Sequence, residues 1–270
     1  MCIRDRGDFN ESQEVHPLVI YQVACPPAGE GELTVGPPGT GSMYESVQAA
    51  INAARPGDTV IVCGGRYQEN IRLNKTVRLR GIGSPLLDAK GSGDILVVKA
   101  DACTIEGFRF YLSGKDNSGI RISANLVEVT NCTTMYNYAG IYMANSSGCT
   151  VDSVVCHGDR YGIHASGSRD GIIRNSLMET KGYAVRLERC RNVTMSNNGV
   201  KVGYVGFDLN TSSRCFVTGN SIWAEAAGVY GIRFWLSDGC EGSGNHIQGF
   251  DCGISATNSS RALLQNNTLT

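Results

Sequence analysis

Charge imbalance is missing from this 270-residue chain: 24 lysines and arginines stand against 25 aspartates and glutamates, a formal net charge of −1. The basic residues are scattered along the sequence rather than massed, so nothing argues electrostatically for a nucleic-acid partner. Long apolar runs are missing too. No stretch approaches the ~18 apolar residues that a membrane-crossing helix needs, so no membrane span is expected in this sequence. Cysteine is present eleven times but never as a CxxC pair, and that is too sparse for a disulfide scaffold. The reading preferred for these thiols is small buried hydrophobes, and cysteine usage alone leaves the redox compartment open.

What is abundant is rhythm. Asn131, Ser153, Asn175, Asn197, Asn220, Asn245 and Asn266 form one column with steps of 22, 22, 22, 23, 25 and 21. Gly119-Ile120, Gly140-Ile141, Gly162-Ile163, Ala184-Val185, Gly206-Phe207, Gly231-Ile232 and Gly253-Ile254 form a second, with steps of 21, 22, 22, 22, 25 and 22. A repeat this short, rich in β-branched residues, Gly and Asn, holds two or three short strands and no helix. One unit cannot bury its apolar face, whereas units stacked about 4.8 Å apart in parallel register bury continuous ladders. The expected fold is all-β, a parallel β-helix. The recurrent asparagines are expected to point inward at a corner and satisfy the turn backbone and one another, and are therefore not catalytic candidates.

Alternation along each Gly-Ile strand sends the residue after the Ile position outward. Read down the stack, that column is Arg121, Tyr142, His164, Arg186, Asp208, Arg233 and Ser255, and two residues further on it is Ser123, Ala144, Ser166, Glu188, Asn210, Trp235 and Thr257. Tyr142, His164, Arg186 and Asp208 in successive coils span about 14 Å, the length of a few sugar rings. With Glu188, Arg233 and Trp235 beside them they make a candidate glycan-binding strip. Tyr138, Tyr161, Tyr183, Tyr204 and Tyr230 precede the Gly-Ile column by one or two residues and are expected to stack on each other. The step of 25 implies a three-residue bulge around Trp223 to Ala227, near Trp235. Cys215 and Cys240 share one offset in adjacent coils, where stacked side chains make poor bridges; Cys103 and Cys149 share another, two coils apart.

The ends read differently. Residues 1–6 look like adapter-derived translation and are set aside, residues 17–25 are too short for a signal core, and a Pro/Gly-rich linker, 26–41, follows. Residues 1–41 are thus expected to lie outside the fold and 42–270 to form it. Tyr44 to about Arg55 carries Val47, Ala50, Ile51 and Ala54 at helical spacing and ends at Pro56-Gly57, so it is expected to cap the open end of the stack. Strands are expected at 59–63, 71–73, 77–80, 95–98 and 104–110. The chain stops inside a repeat at 263–270 and is expected to be truncated there.

The segment Ser46 to Val62, SVQAAINAARPGDTVIV, followed by Gly65 to Asn70 (GRYQEN) and Lys75 to Gly81 (KTVRLRG), resembles the opening of right-handed parallel β-helix proteins of the pectin-lyase-like superfamily, specifically the NosD-like and carbohydrate-binding and sugar hydrolysis (CASH) repeat families. The resemblance covers roughly 44–270. It implies a right-handed β-helix with an N-terminal capping helix, and an extracellular or cell-surface location. It does not fix an activity, because the scaffold serves lyases, hydrolases, epimerases, adhesins and accessory proteins.

Uronate elimination or C5 epimerisation needs a cation on the carboxylate, a base for the C5 proton and an acid at the leaving oxygen. Arg186 or Arg233, His164 and Tyr142 are candidates for those roles. The Asp-Pro-His-Glu motif of mannuronan epimerases of this fold is absent, as are the pectate-lyase and polygalacturonase signatures; His157-Gly158-Asp159 is a distant echo of the last. The NosD resemblance suggests copper, but His16, His157, His164 and His246 are dispersed and the methionines form no column, so no metal or cofactor is expected. The expected protein is a surface β-helix module that binds a polysaccharide or cell-surface glycan, or serves adhesion; the alternative is a polysaccharide-active enzyme working at Tyr142, His164, Arg186 and Asp208. Sequons occur at Asn10, Asn74, Asn131, Asn145, Asn192, Asn210, Asn258 and Asn266, but an Asn- and Thr-rich chain produces such triplets readily, so the expected location rests mainly on the resemblance.

Overall fold

A computed structural model describes residue 20 and residues 22–270; the adapter-like start, His16, Asn10 and most of 17–21 lie outside the described residues. Three-residue strands such as Thr150–Asp152 turn one side chain inward and two outward. In parallel register the inward residue of each coil lies on that of the coil before, so Leu79, Ile105, Val129, Val151, Ile173, Met195 and Val217 form one apolar ladder. All seven are fully buried. Burial of this kind is worth roughly 25 cal/mol per Å² of apolar surface, and only stacking delivers it to strands this short.

Each coil contributes three strands. Face one is an eleven-stranded parallel sheet running from Glu32–Val35 and Thr59–Cys63 to Leu263–Gln265. Face two carries Thr133–Met135, Val155–His157 and Leu177–Thr180, and face three carries Ala139–Ala144, Tyr161–Ser166, Tyr183–Glu188 and Val205–Asn210. The two faces join into one sheet where Ser221–Trp235 and His246–Thr257 run through both. The Gly-Ile register is borne out residue by residue: Ile120, Ile141, Ile163, Val185, Phe207, Ile232 and Ile254 stack in order. Gly206 shows why glycine precedes the inward residue, since a Cβ there would meet the carbonyl oxygen of Gly231 at 2.4 Å. The three-residue insertion is also where the 25-step placed it, as a register shift between Trp223 and Gly228.

The asparagine column needs correction. Asn131, Ser153, Asn175, Asn197 and Asn266 sit at the corner between faces one and two with φ of 51 to 56°, and Asn131 and Asn266 are exposed. They are turn residues that tolerate the left-handed region, not an inward ladder. The ladder is the next column: Cys132, Val154, Ser176, Asn198, Asn220 and Asn245 are buried. Asn220 and Asn245 belong to it, and Gly219 and Gly244 (both φ 63°) are their turn partners. Merging the two columns produced the irregular steps of 23 and 21.

The helix is shorter than expected, Val47–Ala53, with Val47, Ala50 and Ile51 buried. Ser46 caps it, and Glu69 reaches in from the second coil to accept from Ser46 Oγ (2.8 Å), Val47 N (2.9 Å) and Gln48 N (3.0 Å). The stretch read as linker contains the outermost strand, Glu32–Val35, whose residues pair with Thr59–Val62. Leu33 and Val35 give it an inward face that outweighs the flanking Pro and Gly. A disulfide between Cys25 and Cys63 (Cα–Cα 5.5 Å) ties the same stretch down. The strand expected over 104–110 is two, Thr104–Glu106 and Arg109–Tyr111, turned at Gly107.

Candidate functional site

The outward strip assembles on face three in the order read from sequence: Arg121, Tyr142, His164, Arg186, Asp208, Arg233 and Ser255 are register neighbours. Glu188, Asn210 and Trp235 lie two residues along, also in register. The side chains form one connected network. Asp208, fully buried, accepts two bonds from Arg233, at 2.7 and 2.9 Å, and lies 3.8 Å from Arg186 Nε. Arg186 Nε in turn donates to Glu188 Oε1 at 2.8 Å, and its Nη2 lies 2.6 Å from the same oxygen. His164 Nε2 stands 3.5 Å from Glu188 Oε2, an ion-pair distance, and this buried nitrogen makes no hydrogen bond.

Electrostatics follows from that packing. Burial pushes the His164 imidazole below its ordinary value despite the attraction of Glu188, so the ring is neutral at neutral pH. Burial also works to raise Glu188, but Arg186 and His164 outweigh it and hold the carboxylate below its ordinary range. Arg186 and Arg233 are therefore already neutralised by carboxylates of the strip, and Arg121 stands 3.6 Å from Asp94. Removing Asp208 leaves Arg186 and Arg233 facing each other; Asp208→Ala is expected to cost about 3 kcal/mol, at the low end for a broken buried pair because the guanidinium groups keep some solvent, measured as a shift in the urea midpoint.

Aromatic rings flank the network. Tyr161 and Tyr183 stack at 5.2 Å, Tyr138 and Tyr204 extend the row at 5.3 and 5.4 Å, and His164 lies on Tyr161 at 5.3 Å. Arg121 sits 4.8 Å over the Tyr142 ring and Arg233 5.5 Å over Tyr230. Tyr138, Tyr161, Tyr183 and Tyr204 thus stack on each other, as expected, whereas Tyr230 lies under Arg233 instead. Trp235, two residues from Arg233, is left 41% exposed. Trp223 lies in register with Lys201 and Gln248 on face two, so the two tryptophans are not brought together.

His157-Gly158-Asp159 is no site. His157 faces out and pairs with Glu179 at 3.0 Å, whereas Asp159 is fully buried. Sequence reasoning also missed the arginines of the corner between faces three and one. Arg169, Arg189, Arg191, Arg214 and Arg261 look scattered in sequence, yet the turn register places Arg169 beside Arg191, and Arg191, Arg214 and Arg261 line one cleft with Ser213, Asp238 and Gly239. The repeat period was the signal that could have found them, had it been carried past the strands into the turns.

Residues 101–270 match the family described as Periplasmic copper-binding protein (NosD). A Methanothermus fervidus cell surface glycoprotein is 30% identical over 115 residues, 42% of this chain and 15% of that protein. The Homo sapiens SHC SH2 domain-binding protein 1 is 25% identical over 183 residues, 65% of this chain and 23% of that protein. The chain therefore spans less than a quarter of the length of these curated relatives. Among solved structures, Escherichia coli YbhC superposes with a TM-score of 0.56 at 12% identity, covering 97% of this chain and 90% of that one; it shows the fold alone. The fold is that of a parallel β-helix. Within that class, the chain belongs to the NosD family.

The family description raises copper, and the residues do not fit it. His157 is held by Tyr136 and Glu179 on face two, and His164 by Tyr142, Tyr161 and Glu188 on face three, with no contact between the two histidines. The soft ligands nearest His157 point inward: Cys156 and Met178 are register neighbours, both fully buried. Burial pushes the Cys132 thiol up to about 12 and the Cys156 thiol up as well, which opposes the thiolate that copper requires.

Proposed function

We propose that this chain is a cell-surface or otherwise exported β-helix module whose face-three strip, Tyr142, His164, Arg186, Glu188, Asp208, Arg233 and Trp235, binds a polysaccharide or cell-surface glycan without cleaving it. The observation that carries this reading is the saturation of the strip: Arg186 and Arg233 are bonded to Glu188 and Asp208. They offer N–H donors in fixed positions rather than a free cation for a uronate carboxylate. A row of fixed polar groups with one exposed indole beside it suits the hydroxyls and the flat face of sugar rings. The Cys25–Cys63 disulfide, the family's periplasmic description and the cell surface glycoprotein relative support export to an oxidising compartment.

A second reading, a uronate lyase or epimerase, is favoured by one observation. His164 is neutral, has a free Nε2, and sits beside Glu188, as a general base would. A glycan array combined with a uronate-polymer assay separates the two. Retention that falls about tenfold in Trp235→Ala, equivalent to ~1.4 kcal/mol, with no unsaturated product and no C5 inversion by NMR, is the expected result. Product formation that disappears in His164→Ala would replace binding with catalysis, and no retention on any glycan would leave a purely structural repeat.

A further inference from the structure

From Arg169 to Arg261 the corner between faces three and one carries five arginines, Arg169, Arg189, Arg191, Arg214 and Arg261, against two aspartates, Asp170 and Asp238, in a chain whose net charge is −1. Two clefts of about 440 and 400 Å³ open there, and both are lined by Arg191 and Arg214. The other cations are engaged. Arg261 pairs with Asp238, Arg169 stands 3.5 Å from Asp170, and Arg189 donates to Ser166 Oγ at 3.3 Å. Asp170 is further held by Asn192 Nδ2 at 2.8 Å. Among the described residues, the guanidinium groups of Arg191 and Arg214 make no ion pair and no hydrogen bond. Two unsatisfied forks in adjacent coils, about 4.8 Å apart along the stack, face shared clefts.

We propose that this corner is a second binding site, separate from the face-three strip, for a glycan chain bearing sulfate or phosphate groups. A guanidinium fork matches two oxygens of one anion, and a tetrahedral oxyanion has a third to offer to the neighbouring fork. Because the clefts are in tandem along the axis, successive anions on one chain fill successive coils, so a polymer gains where a single anion does not. Nucleic acid fits less well. The lining is Arg, Ser, Asn, Asp and Gly without an aromatic ring, so it offers no platform for stacked bases.

The test is anisotropy titration of the full chain with fluorescent dextran sulfate, neutral dextran and a short DNA duplex, with inorganic phosphate as competitor. Binding of dextran sulfate, weakening as salt rises, and not of neutral dextran is expected. The double variant Arg191→Ala/Arg214→Ala should lose at least about tenfold, whereas Arg72→Ala/Arg78→Ala, which removes the same charge from distant exposed positions, should change less than about twofold. Arg191→Lys/Arg214→Lys keeps the charge, removes the forks and should fall between them; thermal melts confirm that each variant is folded. Inorganic phosphate should compete only at concentrations far above those of the polymer. Equal losses in the two alanine pairs, displacement by phosphate at matched charge concentration, DNA bound as tightly as dextran sulfate, or no binding at low salt would each overturn the proposal.

Discussion

Asn220→Ala is expected to cost about 4 kcal/mol of stability, and Asn131→Ala only about 1, although both asparagines recur with the same period. Asn220 is buried and sits in the middle of an amide ladder. Its Nδ2 donates to Asn245 Oδ1 and to Met195 O, each at 3.0 Å, and its Oδ1 accepts from Asn198 N at 2.9 Å and Asn198 Nδ2 at 3.0 Å. Alanine removes all of these side-chain bonds at once; Asn245 Oδ1 keeps the residue-220 backbone N as a donor at 3.0 Å, but buried Asn198 N loses its acceptor at about 1–3 kcal/mol, and the other lost bonds and the emptied space add to that. Asn131 is exposed, and its role is to hold φ near 51° at the corner; alanine pays only the left-handed backbone penalty of about 1 kcal/mol. Urea unfolding of the two variants beside the parent chain checks the difference, and equal losses would mean that the ladder and the turn are not separable.

That contrast marks the boundary of what periodicity can deliver. The Gly-Ile column was legible because its glycine answers a single steric fact, the approach of the next coil's carbonyl, and because the inward residue beside it must be large and apolar. The asparagine column was not, because two adjacent positions both favour Asn for unrelated reasons: one for its tolerance of positive φ, the other for its paired donor and acceptor. The strip on face three was read correctly as a list of neighbours, since alternation determines which side chains point out. Which of those neighbours bond to one another depends on rotamers, and the saturation of Arg186 and Arg233 by Glu188 and Asp208 leaves no trace in spacing. The corner arginines were hidden for a third reason. Turn positions alternate between Ser, Arg and Asp without an apolar anchor, so no hydrophobic beat draws attention to them.

A third ladder, at the corner between faces two and three, gives the second large effect, and it depends on pH. Ser113 N donates to Asn137 Oδ1 at 3.0 Å, and Asn137 N donates to Asp159 Oδ1 at 2.7 Å. Asp159 also accepts from Asn137 Nδ2 at 3.0 Å and from Thr134 Oγ1 at 2.6 Å, while Gly140 leaves room for its Oδ2. No cation joins these contacts. Burial therefore pushes the carboxyl from its ordinary value of 3.8 up to about 7, against the hydrogen bonds that work to lower it. The folded state holds this proton more tightly than the unfolded state, so ionisation of Asp159 costs stability that is lost as pH rises through about 7 and is regained as pH falls toward the unfolded value. Linkage puts the gain between pH 8 and pH 5 at about 3 kcal/mol. His164, held below its ordinary value, works in the opposite direction in the same window, so the parent chain's profile alone is not the test. Asp159→Asn keeps the shape and removes the titration. The difference between the two unfolding profiles should therefore widen from pH 5 to pH 8, with the asparagine variant the more stable at pH 8; a flat difference, or an aspartate chain that gains on its variant as pH rises, would mean that the ladder stabilises the charged carboxylate.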